Sequence, residues 1–117
     1  MDVRCTLKKN SDFRRLYTRG KSAVNPYMVV YCRRSKEKNN RLGYTVSTKL
    51  GHAVVRNRTR RRLREIYRLH EDEMVCGRDI VVVARVRAAD STYRQLEKSF
   101  LHLAEKLELL KKEQSGE

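Results

Sequence analysis

The sequence predicts an α+β fold, an α/β sandwich in which helices pack on a mixed four-stranded sheet in the order α-β-β-β-α-β-α. Three observations lead there. Two β-forming runs, "YMVVYCR" and "RLGYTVST", follow the Asn25–Pro26 break and alternate in side-chain size with a period of two. The arginine-rich run "VVRNRTRRRLREIYR" hides an apolar stripe with helical spacing. The continuous β-branched run "DIVVVARV" is followed by a segment with 3,4-spaced leucines.

Taken in order, Asn10 or Ser11 is expected to cap a first short helix, with Phe13, Leu16 and Tyr17 on one face and Gly20 at its end. A short strand is expected near residues 21–24. The next strand places Tyr27, Val29 and Tyr31 on one side, and Met28, Val30 and Cys32 on the other. Polar "SKEKNN" then connects it to the strand carrying Leu42, Tyr44 and Val46, and these two strands are expected to pair as an antiparallel hairpin. At 100° per residue, Val55, Thr59, Leu63, Ile66, Tyr67 and His70 share one arc of the second helix, which should face the sheet. Arg56 falls close to that arc and is placed in the turn before regular helix. The run at residues 79–86 reads as a central strand covered on both faces. Thr92 and Gln95 have capping-box spacing, opening a last helix through Leu96, Phe100, Leu103, Leu107 and Leu110. A chain of 117 residues suits one domain, with an ordered core at about residues 7–110 and a polar tail at 111–117.

The charge narrows the partner. Twenty-eight Lys and Arg against 14 Asp and Glu leave a formal net charge of +14, a self-repulsion that a polyanion would offset. A membrane surface fits less well, since interfacial basic helices usually carry Trp, Phe and Leu on their apolar face and the chain has no Trp. No apolar run is long enough for a secretory core or a membrane span, so the expected location is cytoplasmic. Cys5, Cys32 and Cys76 are widely spaced and read as reduced thiols. With His52, His70 and His102 also scattered, no zinc or nucleophile pattern emerges from the linear sequence.

Seven arginines crowd residues 54–68, and Arg56, Arg60, Arg64 and Arg68 form an i,i+4 series whose like charges repel. Arg60, Asn57, Arg64, Arg68 and Arg61 fall on one flank of the apolar arc, Arg58 and Arg62 on the other. Guanidinium groups bind phosphate oxygens bidentately and stay charged at any relevant pH, so this flank suits a nucleic-acid backbone. If it meets about five phosphates, log K should fall against log salt with a slope of roughly −3.5 to −4.5. Asn57 reads equally as a helix cap or as a contact to a base, and Gly51 as a turn or as a place of close approach to RNA. Phe13, Tyr17, Tyr27 and Tyr31 offer either core packing or a stacking platform for unpaired bases.

Together "LKKNSDFRRLYTRGK", "VVYCR", "LGYTVS", "KLGHAVVRNRTRRRLREIYR" and "DIVVVAR" resemble the bacterial ribonuclease P protein subunit, over about residues 7–110. The resemblance implies a small protein that assists a large catalytic RNA in removing the 5′ leader of precursor tRNA, with catalysis by Mg²⁺ ions at the RNA active site and no protein active site. It implies contact with the catalytic RNA through Lys49, Arg56, Asn57, Arg58, Arg60, Arg61 and Arg64, and a leader cleft lined by Phe13, Tyr17 and Tyr31. It also implies a left-handed β-α-β crossover, against the usual preference. The partners implied are the catalytic RNA and precursor tRNA, with no membrane and no obligate protein partner; any metal held by the protein itself stays unknown. The chief rival is a generic RNA-binding or ribosome-associated protein. Lesser rivals are a protein-only nuclease using His52 or His70, and a DNA-binding regulator.

Overall fold

The computed structural model describes Leu7 and residues 10–111, so Cys5 and tail residues 112–117 lie outside the described residues. Its main elements are α1 (Asn10–Arg19), β1 (Lys21–Val24), β2 (Met28–Arg34), β3 (Arg41–Val46), α2 (Ala53–His70), β4 (Arg78–Ala84) and α3 (Tyr93–Lys106). The order matches the expected α-β-β-β-α-β-α, and the sheet is mixed: β4 runs parallel to β3 and antiparallel to β2, which is antiparallel to β1.

The strand order is β1-β2-β4-β3, which corrects the expected hairpin: β2 and β3 never pair. The physical reason lies in β4. Ile80, Val81 and Val82 are all essentially inaccessible, so this strand can fill both faces of the sheet and takes the interior position between β2 and β3. The connection that looked like a hairpin loop instead bridges the start of β4. Ser35 N–H donates to Gly77 O at 2.9 Å. The Asn40 amide donates to Val75 O at 2.7 Å and to the Tyr67 hydroxyl at 3.0 Å, while its Oδ1 accepts from Arg78 N–H at 2.7 Å. One asparagine thus satisfies two backbone groups at the opened strand ends, Val75 O and Arg78 N–H, and ties them to α2 through Tyr67.

The sheet lies between helices. On one face Met28, Val30, Cys32, Leu42, Ile80 and Val82 pack with Leu63 and Ile66 of α2 and Leu96, Phe100 and Leu103 of α3. On the other, Val81 meets Leu16 of α1 and Leu7. The predicted arc of α2 faces the sheet: Thr59, Leu63, Ile66 and Tyr67 are buried, with Val55 and His70 half-buried at its ends. Thr59 is tolerated there because its hydroxyl donates to Val55 O at 3.0 Å.

Local signals fare unevenly. Asn10 and Ser11 both lie inside α1, so neither takes the expected capping place. The Thr92–Gln95 capping box is present, with Gln95 N–H donating to the Thr92 hydroxyl at 3.1 Å and Thr92 N–H donating to Gln95 Oε1 at 2.9 Å. The last helix stops at Lys106 and does not run through Leu110. Glu108 takes the left-handed conformation at φ 59°, and Leu109 N–H bonds back to Ala104 O at 2.8 Å, the geometry of a Schellman ending. Leu110 then pairs with Met74 in an isolated bridge, sealing the core edge as strand-like chain.

Candidate nucleic-acid interface

α2 is entered through a 3-10 turn, Thr48–Leu50, anchored by buried Leu50. Ser47 Oγ accepts from Lys49 N–H at 3.2 Å, and Gly51 closes the turn at φ 136°, a conformation that side-chain-bearing residues avoid. Gly51 is therefore accounted for as a turn residue. The helix starts at Ala53, with His52 as N-cap making no side-chain capping bond. This settles two expectations. Arg56 is inside regular helix rather than in the preceding turn, and its Nε reaches back to Gly51 O at 3.2 Å. Asn57 cannot be the cap, since it lies a full turn into the helix; it is exposed, and its Oδ1 accepts from Arg60 Nη1 at 3.2 Å.

The two flanks of α2 behave differently. Arg58 donates to Ala89 O at 3.3 Å and Arg62 to Ser91 O at 3.1 Å, so both are half-buried and fasten the helix to the 3-10 segment Val86–Asp90 and its end. On the opposite flank Asn57, Arg61 and Arg64 are exposed and Arg60 is half-exposed. Among the described residues no carboxylate pairs with Arg56, Arg60, Arg61 or Arg64; of the helix's arginines Arg68 does so, with Glu65 at 2.6 Å, an exposed contact of little energetic weight. The Arg64 guanidinium lies 5.8 Å from the centre of the Tyr44 ring. Burial pushes the Tyr44 hydroxyl far up, so it stays neutral and offers its ring face to the cation. Tyr44 was read only as a strand residue; its contact with Arg64, twenty positions away, has no local signal.

A second surface forms between α1 and the open face of the sheet. The Phe13 ring packs with Leu7, Leu16 and Val81 and lies over Gly43, where a β-carbon would come within 2.7 Å of Phe13 Cε1. Tyr17 and Tyr31 meet edge to face, with ring centres 4.8 Å apart. Tyr17 is 43% exposed and Tyr31 half-buried, so both rings keep accessible surface. The three aromatic residues singled out from sequence are thus brought to one groove. Tyr27 is not, although it was expected on the face of Tyr31. It precedes the strand, inside a turn where Asn25 Oδ1 accepts from Tyr27 N–H at 2.9 Å and Met28 N–H at 3.0 Å, and its ring packs on the α2/α3 side. Strand alternation does not extend into that turn.

Sequence reading missed the brace that holds α1 in place. Arg41 of β3 binds buried Asp79 of β4 through two bonds of 2.8 Å, and Asp12 of α1 lies 3.8 Å from the same guanidinium. The bond to Asp79 holds the Arg41 pKa above its ordinary value. Arg41 and Asp79 are register partners on neighbouring strands, which only the sheet topology reveals. At the far end of α2, His70 is held by Glu97 at 2.7 Å and Glu73 at 2.9 Å, and its pKa is raised, chiefly by the bond to Glu97. Among the described residues no group of three or more His, Cys, Asp or Glu side chains could hold a metal ion, and no helix is long and apolar enough to cross a membrane.

A basic α+β protein with one arginine-lined helix flank and one half-open aromatic face is, by class, an RNA-binding protein. Its sequence matches the family Ribonuclease P over residues 1–108. It is 42% identical over 104 residues to the ribonuclease P protein component of Alkaliphilus metalliredigens, covering 89% of this chain and 94% of that one. It is 44% identical over 104 residues to that of Clostridioides difficile, covering 88% and 91%. The solved RNase P protein of Staphylococcus aureus superposes with a TM-score of 0.86 at 37% identity, covering 93% of this chain and 100% of that one. The chain belongs to the ribonuclease P protein family, and so serves as the protein subunit of a ribonucleoprotein endoribonuclease whose chemistry is carried out by RNA.

Proposed function

We propose that the free flank of α2, with Lys49, Arg56, Asn57, Arg60, Arg61 and Arg64, docks on phosphates of the catalytic RNA, and that the Phe13–Tyr17–Tyr31 groove holds the 5′ leader of precursor tRNA. The observation that carries this reading is the division of α2 into a flank whose Arg56, Arg60, Arg61 and Arg64 have no carboxylate partner among the described residues and a flank fastened to the protein's own carbonyls. Unneutralised guanidinium groups in an i,i+4 row repel one another, and phosphates would remove that repulsion. Arg58 takes part in the docking from the fastened side, with its remaining donors. Aromatic faces in the groove stack on unpaired bases, each stack worth about 1 to 3 kcal/mol, and so favour a substrate with a leader over a product without one.

Mg²⁺ ions belong to the RNA active site in this reading, where such ions activate water and stabilise the leaving oxygen of a phosphodiester. The protein contributes charge, orientation and leader contacts. It acts as one domain, in the cytoplasm, with no obligate protein partner. A protein-only nuclease using His52 and His70 together is disfavoured by position, because they sit at opposite ends of the 18-residue α2, roughly 27 Å apart.

The test is reconstitution of precursor cleavage at low Mg²⁺ from purified protein, catalytic RNA and precursor tRNA. Cleavage should require the RNA and be strongly stimulated by the protein. A protein that binds RNA but gives no stimulation would be a generic binder, and cleavage by protein alone would restore the nuclease reading.

A further inference from the structure

α1 lies on the open face of the sheet with few side chains to hold it. Leu16 is its buried residue, set beside Leu7 and Val81, and the others are half-buried or exposed. Leu7 N–H donates to Leu42 O at 3.0 Å, which fixes the chain before the helix but not the helix's own first turn. One buried side chain gives a point of contact, and the tilt of a ten-residue helix needs another.

Charge supplies it. The Arg41 guanidinium is planar and is committed to Asp79 through Nε and Nη2, at 2.8 Å each, while its Nη1 lies 3.8 Å from Asp12 in the first turn of α1. Asp79 is buried in β4 and Arg41 is its register partner in β3, so the guanidinium is a fixed post and not a mobile surface charge. Arg15 also lies 3.8 Å from Asp12, but it belongs to the same helix and cannot tie it to the sheet.

The residue after Asp12 is Phe13, whose ring sits over Gly43, two residues beyond Arg41 and on the same face of β3. One helical turn later Tyr17 meets Tyr31 edge to face. Adjacent residues of α1 thus grip successive same-face positions of one strand. A first turn released from Arg41 would lift Phe13 away from Gly43 and change the groove at that end. Stacking depends on where a ring is held, so support behind a contact residue governs binding as the contact does. We infer that Asp12, Arg41 and Asp79 are positioning residues for the leader, which set the height of α1 over the sheet and act through Phe13. This rests on the leader reading above.

The experiment measures binding of the assembled protein–RNA enzyme to precursor tRNA and to mature tRNA and takes the ratio. Asp12→Asn removes the charge and keeps the shape; the chain becomes more positive, which by itself would tighten binding to both RNAs. The ratio should nevertheless fall roughly fivefold, the low end of one stacked base, through weaker binding of precursor. Arg41→Lys leaves the net charge unchanged but cannot hold Asp79 and Asp12 together, and should lower the ratio as far. Asp12→Glu, which keeps a carboxylate, should restore most of the preference. In a Phe13→Ala background Asp12→Asn should lower the ratio no further, because the side chain it acts through is gone. Thermal unfolding identifies any variant that fails to fold, and if Arg41→Lys is one, the Asp12 variants decide. Equal weakening for precursor and mature tRNA, or losses that simply add in the double variant, would overturn the inference. If Phe13→Ala lowers the ratio and folded Asp12→Asn does not, the leader reading stands and the positioning role alone is wrong. If Phe13→Ala leaves the ratio unchanged, the leader reading fails and takes the positioning role with it.

Discussion

The two faces of the sheet are built from similar strand residues and end up with opposite uses. Beneath α2 and α3, apolar side chains from β2, β3 and β4 join one large buried cluster anchored by Ile66, Leu96, Phe100 and Leu103. Beneath α1, only Leu7, Leu16 and Val81 form the buried centre, and Phe13, Tyr31 and Val83 remain partly open. Further along, Val24 is 54% exposed opposite Val29. Coverage, not residue type, makes the difference: two helices close one face, whereas one ten-residue helix leaves the other as a groove. An aromatic residue is core on the first and available for stacking on the second.

The comparison breaks most directly at stability. Ile66→Ala should cost about 2 to 5 kcal/mol in urea unfolding, because the closed face cannot collapse into the cavity. Tyr17→Ala, on the open face, should cost less than about 1 kcal/mol. Similar losses would mean that the faces are equally packed.

Next in size is the groove's effect on substrate. Tyr31→Ala or Phe13→Ala should weaken precursor binding by roughly tenfold, about the value of one stacked base, and leave mature tRNA nearly unaffected. Gly43→Val sharpens the point without removing an aromatic residue, since the new side chain would displace the Phe13 ring. It should reproduce the Phe13→Ala phenotype; normal precursor binding by this variant would separate Phe13 from the leader.

The same reasoning divides α2. Arg60→Ala with Arg64→Ala should weaken assembly with the catalytic RNA and flatten its salt slope by about 1.4 to 1.8. Arg58→Ala with Arg62→Ala should flatten the slope only about half as much, through Arg58, and should lower thermal stability through the lost bonds to Ala89 and Ser91. Identical slopes in the two double variants would erase the distinction between flanks.

The smallest effect concerns pH. Because Glu97 and Glu73 raise the His70 pKa above its ordinary 6.5, folding binds this proton more tightly than the unfolded chain does. The resulting stabilisation is complete below about pH 6.5 and is lost as pH rises through the higher folded value. The Tm difference between the native chain and Glu97→Gln should therefore shrink as the solution becomes alkaline. A difference that grows with pH would show that His70 is neutral between its carboxylates.

Periodicity was enough to identify the buried arc of α2, the capping box of α3 and the central place of the β4 run, because each depends on neighbours within a few residues. It was enough, too, to separate Arg60, Arg61 and Arg64 from Arg58 and Arg62, since a helix places them by angle alone. The resemblance supplied the grouping of Phe13, Tyr17 and Tyr31, which local pattern left open between core and platform. Where neighbouring turns intervene, local reading fails: Tyr27 leaves the expected face, Asn57 proves interior to its helix, and Leu110 bends out of α3.

By itself, then, the amino-acid order determined which segments are helix or strand, which helix face is buried and where the positive charge gathers. Tertiary structure alone decided that β4 separates β2 from β3, and that Arg41, Asp79 and Asp12 brace α1. The reason is one of range. Helical angle and strand alternation act over a few residues, whereas strand pairing and charge convergence depend on which distant segments best fill one another's faces.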